Sequence, residues 1–225
     1  MAAVQAILFD LDGTLVDSER ESAEAMARVI ARDLGLAVTQ EQRDYVIGHS
    51  WNEIYARLRD ELGPALVWDR DELIRRSAAE RVNVIAEVGM TIMPGAVAAV
   101  QRLGARWPKA IVTGSSRVEA LQALDVLRLI DAFPVIVTAE DYRHGKPAPE
   151  GYLRGARLLG VDPERCVVIE DSPAGISAGR AAGMTVVAVR AGNFAGLDQS
   201  HAHHVVDSLD AVTVPFILEL AGTGR

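Results

Sequence analysis

Six short apolar runs rich in Val, Ile and Ala punctuate the chain: "AVQAILFD" (3–10), "KAIVTG" (109–114), "PVIVTAE" (134–140), "CVVIED" (166–171), "TVVAVR" (185–190) and "HHVVD" (203–207). Helical segments separate them, including one that begins at Pro94 and one that runs from Pro149 towards Gly160. Continuous Val/Ile runs alternating with helices imply a parallel sheet covered on both faces. The expected fold class is therefore α/β, with a doubly wound, Rossmann-like sheet.

Residues 18 to 88, between the first run and the second, carry helical signals only. Four capping patterns fall there: Ser18-x-x-Glu21, Thr39-x-x-Gln42, Ser50-x-x-Glu53 and the Asp variant Asp69-x-x-Glu72. Behind the first of them, Ala23, Met26, Ala27, Ile30 and Leu34 share one helical face. A helical bundle inserted after the first strand is the simplest arrangement. The expected division is a core of residues 1–15 and 89–225 with an inserted helical domain of residues 16–88.

A chain of 225 residues that is 49% hydrophobic can bury a sizeable core. Its formal net charge is -8 and no stretch gathers Lys and Arg, so nucleic acid and anionic membrane surfaces are not expected partners. A lone cysteine, Cys166, cannot form an internal disulfide, and no secretory leader is visible, which makes the cytoplasm the expected compartment. No apolar run is long enough to span a bilayer.

In a doubly wound sheet, ligands bind beyond the carboxyl ends of the strands. Polar residues gather at those ends here: Asp10 and Asp12 after the first run, Thr113 after the second, Glu170 and Asp171 after the fourth. One Asp-x-Asp pair alone is usually a solvated turn or a helix cap, but recurrence at several strand ends weakens that reading. Four carboxylates repel one another unless a cation sits among them, and an all-oxygen set suits Mg²⁺, which also retains water and substrate phosphate oxygens.

"DLDGT" (10–14), Thr113 in "IVTGS" (111–115), Lys146 in "GKPAP" (145–149) and "EDSPAG" (170–175) resemble, in order and spacing, the four motifs of the haloacid dehalogenase superfamily. The inserted helices resemble that family's four-helix cap. "EDS" together with "GMTVVAV" (183–189) resembles the branch that holds β-phosphoglucomutase and small sugar-phosphate phosphatases.

The resemblance implies roles. Asp10 would be the nucleophile that accepts the phosphoryl group, and Asp12 the acid–base group, with its backbone carbonyl on the metal. Thr113, Gly114 and Ser115 would bind phosphate, and Lys146 would steady the crowded negative charge. Mg²⁺ would be held by Asp10, Asp12, Asp171 and, directly or through water, Glu170. The cap loop around "GHSW" faces the active site in the family, so His49 and Trp51 either touch substrate or pack the cap. A monomer is expected, because a capped enzyme of this size needs no partner to complete its site.

Reaction type follows from particular residues. Haloacid dehalogenases lack the second aspartate, which this chain keeps as Asp12. Phosphonatases use a cap lysine, and residues 15–88 contain none. The expected activity is a Mg²⁺-dependent phosphatase acting on a small phosphorylated metabolite, a sugar or polyol phosphate. The alternatives are a hexose-phosphate mutase and a non-catalytic phosphate sensor. Against the mutase, β-phosphoglucomutase places a histidine where this chain has Ser22 and an arginine where it has Trp51. The other conspicuous residues read as structural: "HAHH" (201–204) as a loop before an edge strand, Cys166 as a buried small side chain, and Trp68 and Trp107 as packing at element ends.

Overall fold

All six strand-like runs become strands of one parallel sheet. The computed structural model describes residues 3–49, 51–194 and 196–222. In chain order the strands are β1 (Ala6–Phe9), β2 (Val16–Asp17), β3 (Thr91–Ile92), β4 (Lys109–Val112), β5 (Val135–Val137), β6 (Cys166–Glu170), β7 (Thr185–Val189) and β8 (His204–Val206). The helices are α1 (Glu19–Leu34), α2 (Gln40–Val46), α3 (Trp51–Leu62), α4 (Arg70–Val88), α5 (Ala96–Gly104), α6 (Arg117–Val126), α7 (Glu150–Leu159), α8 (Pro173–Ala181) and α9 (Val214–Gly222).

Six strands form the sheet in the order β5-β4-β1-β6-β7-β8, while β2 and β3 pair separately as a short ribbon. From β1 the strand order runs one way through β4 and β5 and the other way through β6, β7 and β8. The carboxyl end of β1 is therefore the switch point at which such sheets open a crevice. Register aligns the three central strands, with Phe9 opposite both Ile111 and Ile169. The residues that follow, Asp10, Val112 and Glu170, thus stand at one level at the carboxyl ends of their strands.

Every residue of β1, β4, β6 and β7 is buried, which is why these strands read as unbroken apolar runs. Leu8, Ala110, Val112, Val168 and Val186 pack with Tyr152, Ala156, Ile176 and Ala178, the last four carried by α7 and α8.

The chain divides into two compact units: one runs from the N-terminus to Val16 and resumes at Ile92, and the other spans Asp17–Thr91. Among the described residues the second unit holds four α-helices around Ala23, Met26, Ile30, Val46, Ile54, Leu58, Leu66 and Leu73. Three of the expected capping patterns can be followed. Thr39 and Gln42 form the reciprocal box, and Asp69 accepts the Glu72 N–H at 2.8 Å. The first pattern fails. Ser18 has helical torsions (φ -100, ψ -5) and makes no side-chain cap, and Asp17 Oδ1 takes the Glu19 N–H at 3.3 Å instead. The carboxylate of Glu21 turns away to accept the Thr91 N–H at 3.1 Å. Ser50, and with it the expected Ser50–Glu53 box, lies outside the described residues.

Candidate active site

Asp10 leaves β1 with its N–H bonded to Ile169 O at 3.0 Å, which extends the ladder to the edge of the crevice. Its Oδ1 accepts Lys146 Nζ at 2.5 Å, and the same ammonium reaches Glu170 Oε1 at 2.6 Å. Lys146 comes from the loop between β5 and α7, so three chain segments meet at one cation.

The turn after Asp10 demands its glycine. Gly13 has φ +80, and a Cβ there would lie 2.3 Å from Asp171 Oδ2. Thr14, the last residue of "DLDGT", donates its hydroxyl to Asp171 Oδ1 at 2.7 Å. Asp12 points elsewhere: its Oδ2 accepts Thr113 Oγ1 at 2.9 Å and Ser115 Oγ at 2.6 Å. The 113–115 turn is fixed by the Ser115 N–H on Thr113 Oγ1 at 2.9 Å and by the Tyr142 hydroxyl on Thr113 O at 2.8 Å. Gly114 is exposed at its tip.

Glu170 is fully buried and accepts five hydrogen bonds. Oε1 takes Lys146 Nζ and, at 3.1 Å, the Tyr152 hydroxyl. Oε2 takes the Asp171 N–H at 2.9 Å, the Ser172 N–H at 2.8 Å and Ser172 Oγ at 3.0 Å. Ser172 also caps α8 by accepting the Gly175 N–H at 3.0 Å. Gly175 is required by contact rather than by torsion, since a Cβ there would lie 1.5 Å from Glu170 Oε1. Gly175→Ala is accordingly expected to cost about 1–3 kcal/mol through overpacking, measured as a lowered denaturant midpoint. Gln199 completes the frame: its buried side-chain amide donates to Asp171 O at 2.6 Å and Val189 O at 3.1 Å.

Three buried carboxylates, Asp10, Glu170 and Asp171, offer oxygens within 4.8 Å of one another. Among the described residues, Lys146 is the one cation paired with this cluster, through Asp10 and Glu170. Burial pushes the Asp10 carboxyl up to about 8 against the pull of Lys146, with Glu170 and Asp12 adding to the rise. Burial and the neighbouring carboxylates hold Asp171 well above the usual range as well. A cluster of hard oxygen donors short of positive charge fits a divalent cation such as Mg²⁺, which would draw these groups back to their ionised forms. Burial pushes the Tyr152 phenol far up, so it stays a donor, and pushes the Cys166 thiol to about 12, which makes it no nucleophile.

The raised carboxyls carry a stability consequence whose sign is definite. Between about pH 4 and 8 the buried Asp10 carboxyl of the folded, metal-free chain holds a proton that it loses on unfolding, so this group's contribution to stability falls as pH rises through that window. Melting temperature in chelator is expected to drop from pH 6 to pH 8. Added Mg²⁺ should raise it more at pH 8 than at pH 6, because protons and metal compete for the same oxygens.

His49 and Trp51 lie in the Asp17–Thr91 unit. The His49 ring stacks on Tyr45, with centroids 3.8 Å apart, and Arg57 lies 4.4 Å over the same Tyr45 ring. Trp51 packs, partly buried, against the apolar cluster of that unit. In the "HAHH" run, His203 Nδ1 accepts the Val186 N–H at 3.0 Å, and His204, the first residue of β8, lies edge-on to Phe216 of α9.

The family model for a haloacid dehalogenase-like hydrolase matches residues 4–183. The chain belongs to the haloacid dehalogenase-like hydrolases. Among curated relatives of this haloacid dehalogenase-like hydrolase, hexitol phosphatase A of Escherichia coli (strain K12) is 36% identical over 199 residues, covering 83% of each chain. Fructose-1-phosphate phosphatase YqaB of the same organism is 33% identical over 189 residues, covering 82% of this chain and 95% of its own. Among solved structures, β-phosphoglucomutase from Clostridium difficile superposes with a TM-score of 0.76 at 26% identity, covering 97% of both chains. Both phosphatases and a mutase thus stand among its relatives. No described helix is long and apolar enough to cross a membrane.

Thr14, Tyr142, Tyr152, Ser172 and Gln199 join the site although the sequence alone does not single them out. Thr14 and Ser172 lie inside the recognised motifs, which could have flagged them. Tyr142, Tyr152 and Gln199 carry no local signal.

Proposed function

We propose that this hydrolase is a Mg²⁺-dependent phosphatase of a sugar or polyol phosphate, working through an aspartyl-phosphate on Asp10. The observation that carries the proposal is the pairing of the Asp10 carboxylate with Lys146 at 2.5 Å, at the switch point of the sheet, with Asp12 two residues on. Asp10 attacks phosphorus, forming an O–P bond as the ester O–P bond breaks, and the departing alkoxide takes the proton of Asp12. Water then attacks phosphorus, Asp12 recovers a proton from it, and Asp10 is released. Lys146, with three N–H donors of which two are engaged, offers the third to the transferring group, and the Thr113 and Ser115 hydroxyls, which here donate to Asp12 Oδ2, reach that group only by turning away from Asp12. Mg²⁺ would be held by the Asp10 and Asp171 carboxylates with the Asp12 carbonyl, and would supply charge stabilisation to phosphoryl oxygens. Glu170, committed to five donors, braces that set.

The two phosphatase relatives, named for hexitol and fructose 1-phosphates, support the substrate class. Hydrolysis is favoured over mutase chemistry by two side chains. Ser22 donates its hydroxyl to Ser18 O at 2.8 Å, inside its own helix, and Trp51 packs in an apolar cluster. Neither relays a proton nor clamps a second phosphate as imidazole and guanidinium do.

The β-phosphoglucomutase likeness favours the second reading, so the test pits one against the other. Incubation with β-glucose 1-phosphate, Mg²⁺ and a catalytic bisphosphate primer is expected to release inorganic phosphate with little glucose 6-phosphate. Rapid isomerisation without phosphate release would reverse the assignment. A panel of hexitol and ketose phosphates then ranks substrates.

A further inference from the structure

We propose that Tyr152 is a positioning residue that fixes Lys146 against Asp10 by holding the shared oxygen of Glu170. The proposal rests on the reading of Lys146 and Asp10 as reacting groups. Tyr152 is 1% exposed and lies on α7, six residues after Lys146. Its hydroxyl donates to Glu170 Oε1, the same oxygen that receives Lys146 Nζ. Its ring also lies 5.3 Å from that ammonium, within cation–π range.

Three donors from Asp171 and Ser172 secure Oε2, and among the described residues Tyr152 and Lys146 are the two donors to Oε1, which packs against Gly175. A lysine ammonium ends a flexible four-carbon stem and takes its place from its acceptors. Losing the phenol leaves one donor on Oε1 and frees the ammonium to follow it. Core packing does not ask for a hydroxyl here, because Tyr152 otherwise sits among apolar side chains such as Leu8, Val112 and Ala156. The phenol serves the site.

Tyr152→Phe keeps the ring and removes only the hydroxyl. The expected result is a loss of about tenfold in kcat with KM within about twofold, the effect of one hydrogen bond to a charged group. On a Lys146→Met background the same change should alter kcat by less than about twofold, since the group it positions is gone. Additive losses in the double variant, an effect confined to KM, or wild-type kcat in Tyr152→Phe would each overturn the proposal.

A second measurement needs no turnover. The chain has two lysines, Lys109 and Lys146, so ¹⁵Nζ-labelled lysine gives two ammonium signals. Tyr152→Phe is expected to shift or broaden the Lys146 signal and leave Lys109 unchanged. An unmoved Lys146 signal would defeat the positioning role. Absence of any phosphatase activity in the wild type would instead defeat the functional reading, with the spectrum still reporting on Tyr152.

Discussion

Asp10→Asn is expected to lower turnover about a thousandfold or more while leaving the fold intact. The amide matches the carboxylate in shape, so β1 and the 10–16 turn keep their backbone bonds. It cannot form an acyl phosphate, and covalent catalysis fails at its first bond. Part of the loss is electrostatic, because Lys146 then faces Glu170 alone. The charge removed is also one that burial already disfavours, so the variant should melt no lower than wild type in chelator. Turnover within about tenfold of wild type, measured with an aryl phosphate and Mg²⁺, would rule out the covalent route.

Chelation should have the next largest effect. Removing divalent metal with EDTA is expected to lower activity by about a hundredfold or more, and Mg²⁺ should restore it. Ca²⁺ should be a poor substitute, because it prefers more ligands at longer distances. Asp171→Ala should prevent the rescue at ordinary Mg²⁺ concentrations, since it removes a carboxylate that Thr14 orients and Gln199 anchors through the backbone. Direct calorimetric titration of Mg²⁺ separates lost affinity from lost chemistry. Full activity in chelator would contradict the metal assignment.

The sheet was legible in the sequence because its central strands are buried on both faces and so read as unbroken Val/Ile runs. The acidic site was legible for a related reason: short polar motifs at strand ends converge once the strands are parallel and adjacent. The start of α1 was not legible. Ser18 and Glu21 match a capping box in letters, but Asp17 supplies the cap and Glu21 is drawn to Thr91, a partner 70 residues away in sequence. A true box joins Ser116 and Glu119 at the start of α6, directly after the Thr113 turn. Tyr152 and Gln199 were invisible for the same reason as Thr91: their roles depend on distant groups, Glu170 and Asp171, that only the folded chain brings near. Gly175, inside the last motif, is a place of close approach set by the geometry of the Glu170 carboxylate.

The central claim is that the phosphoryl group passes through Asp10. The most direct test is acid quench of the Mg²⁺-loaded wild-type enzyme within the first turnover, followed by borohydride reduction and peptide mass spectrometry. An acyl phosphate at Asp10 is reduced to the alcohol, whereas a free carboxylate is untouched. The account predicts the reduced side chain at position 10 and nowhere else. Reduction at Asp12 or Asp171, or an unmodified Asp10 in enzyme that is turning over, would contradict it.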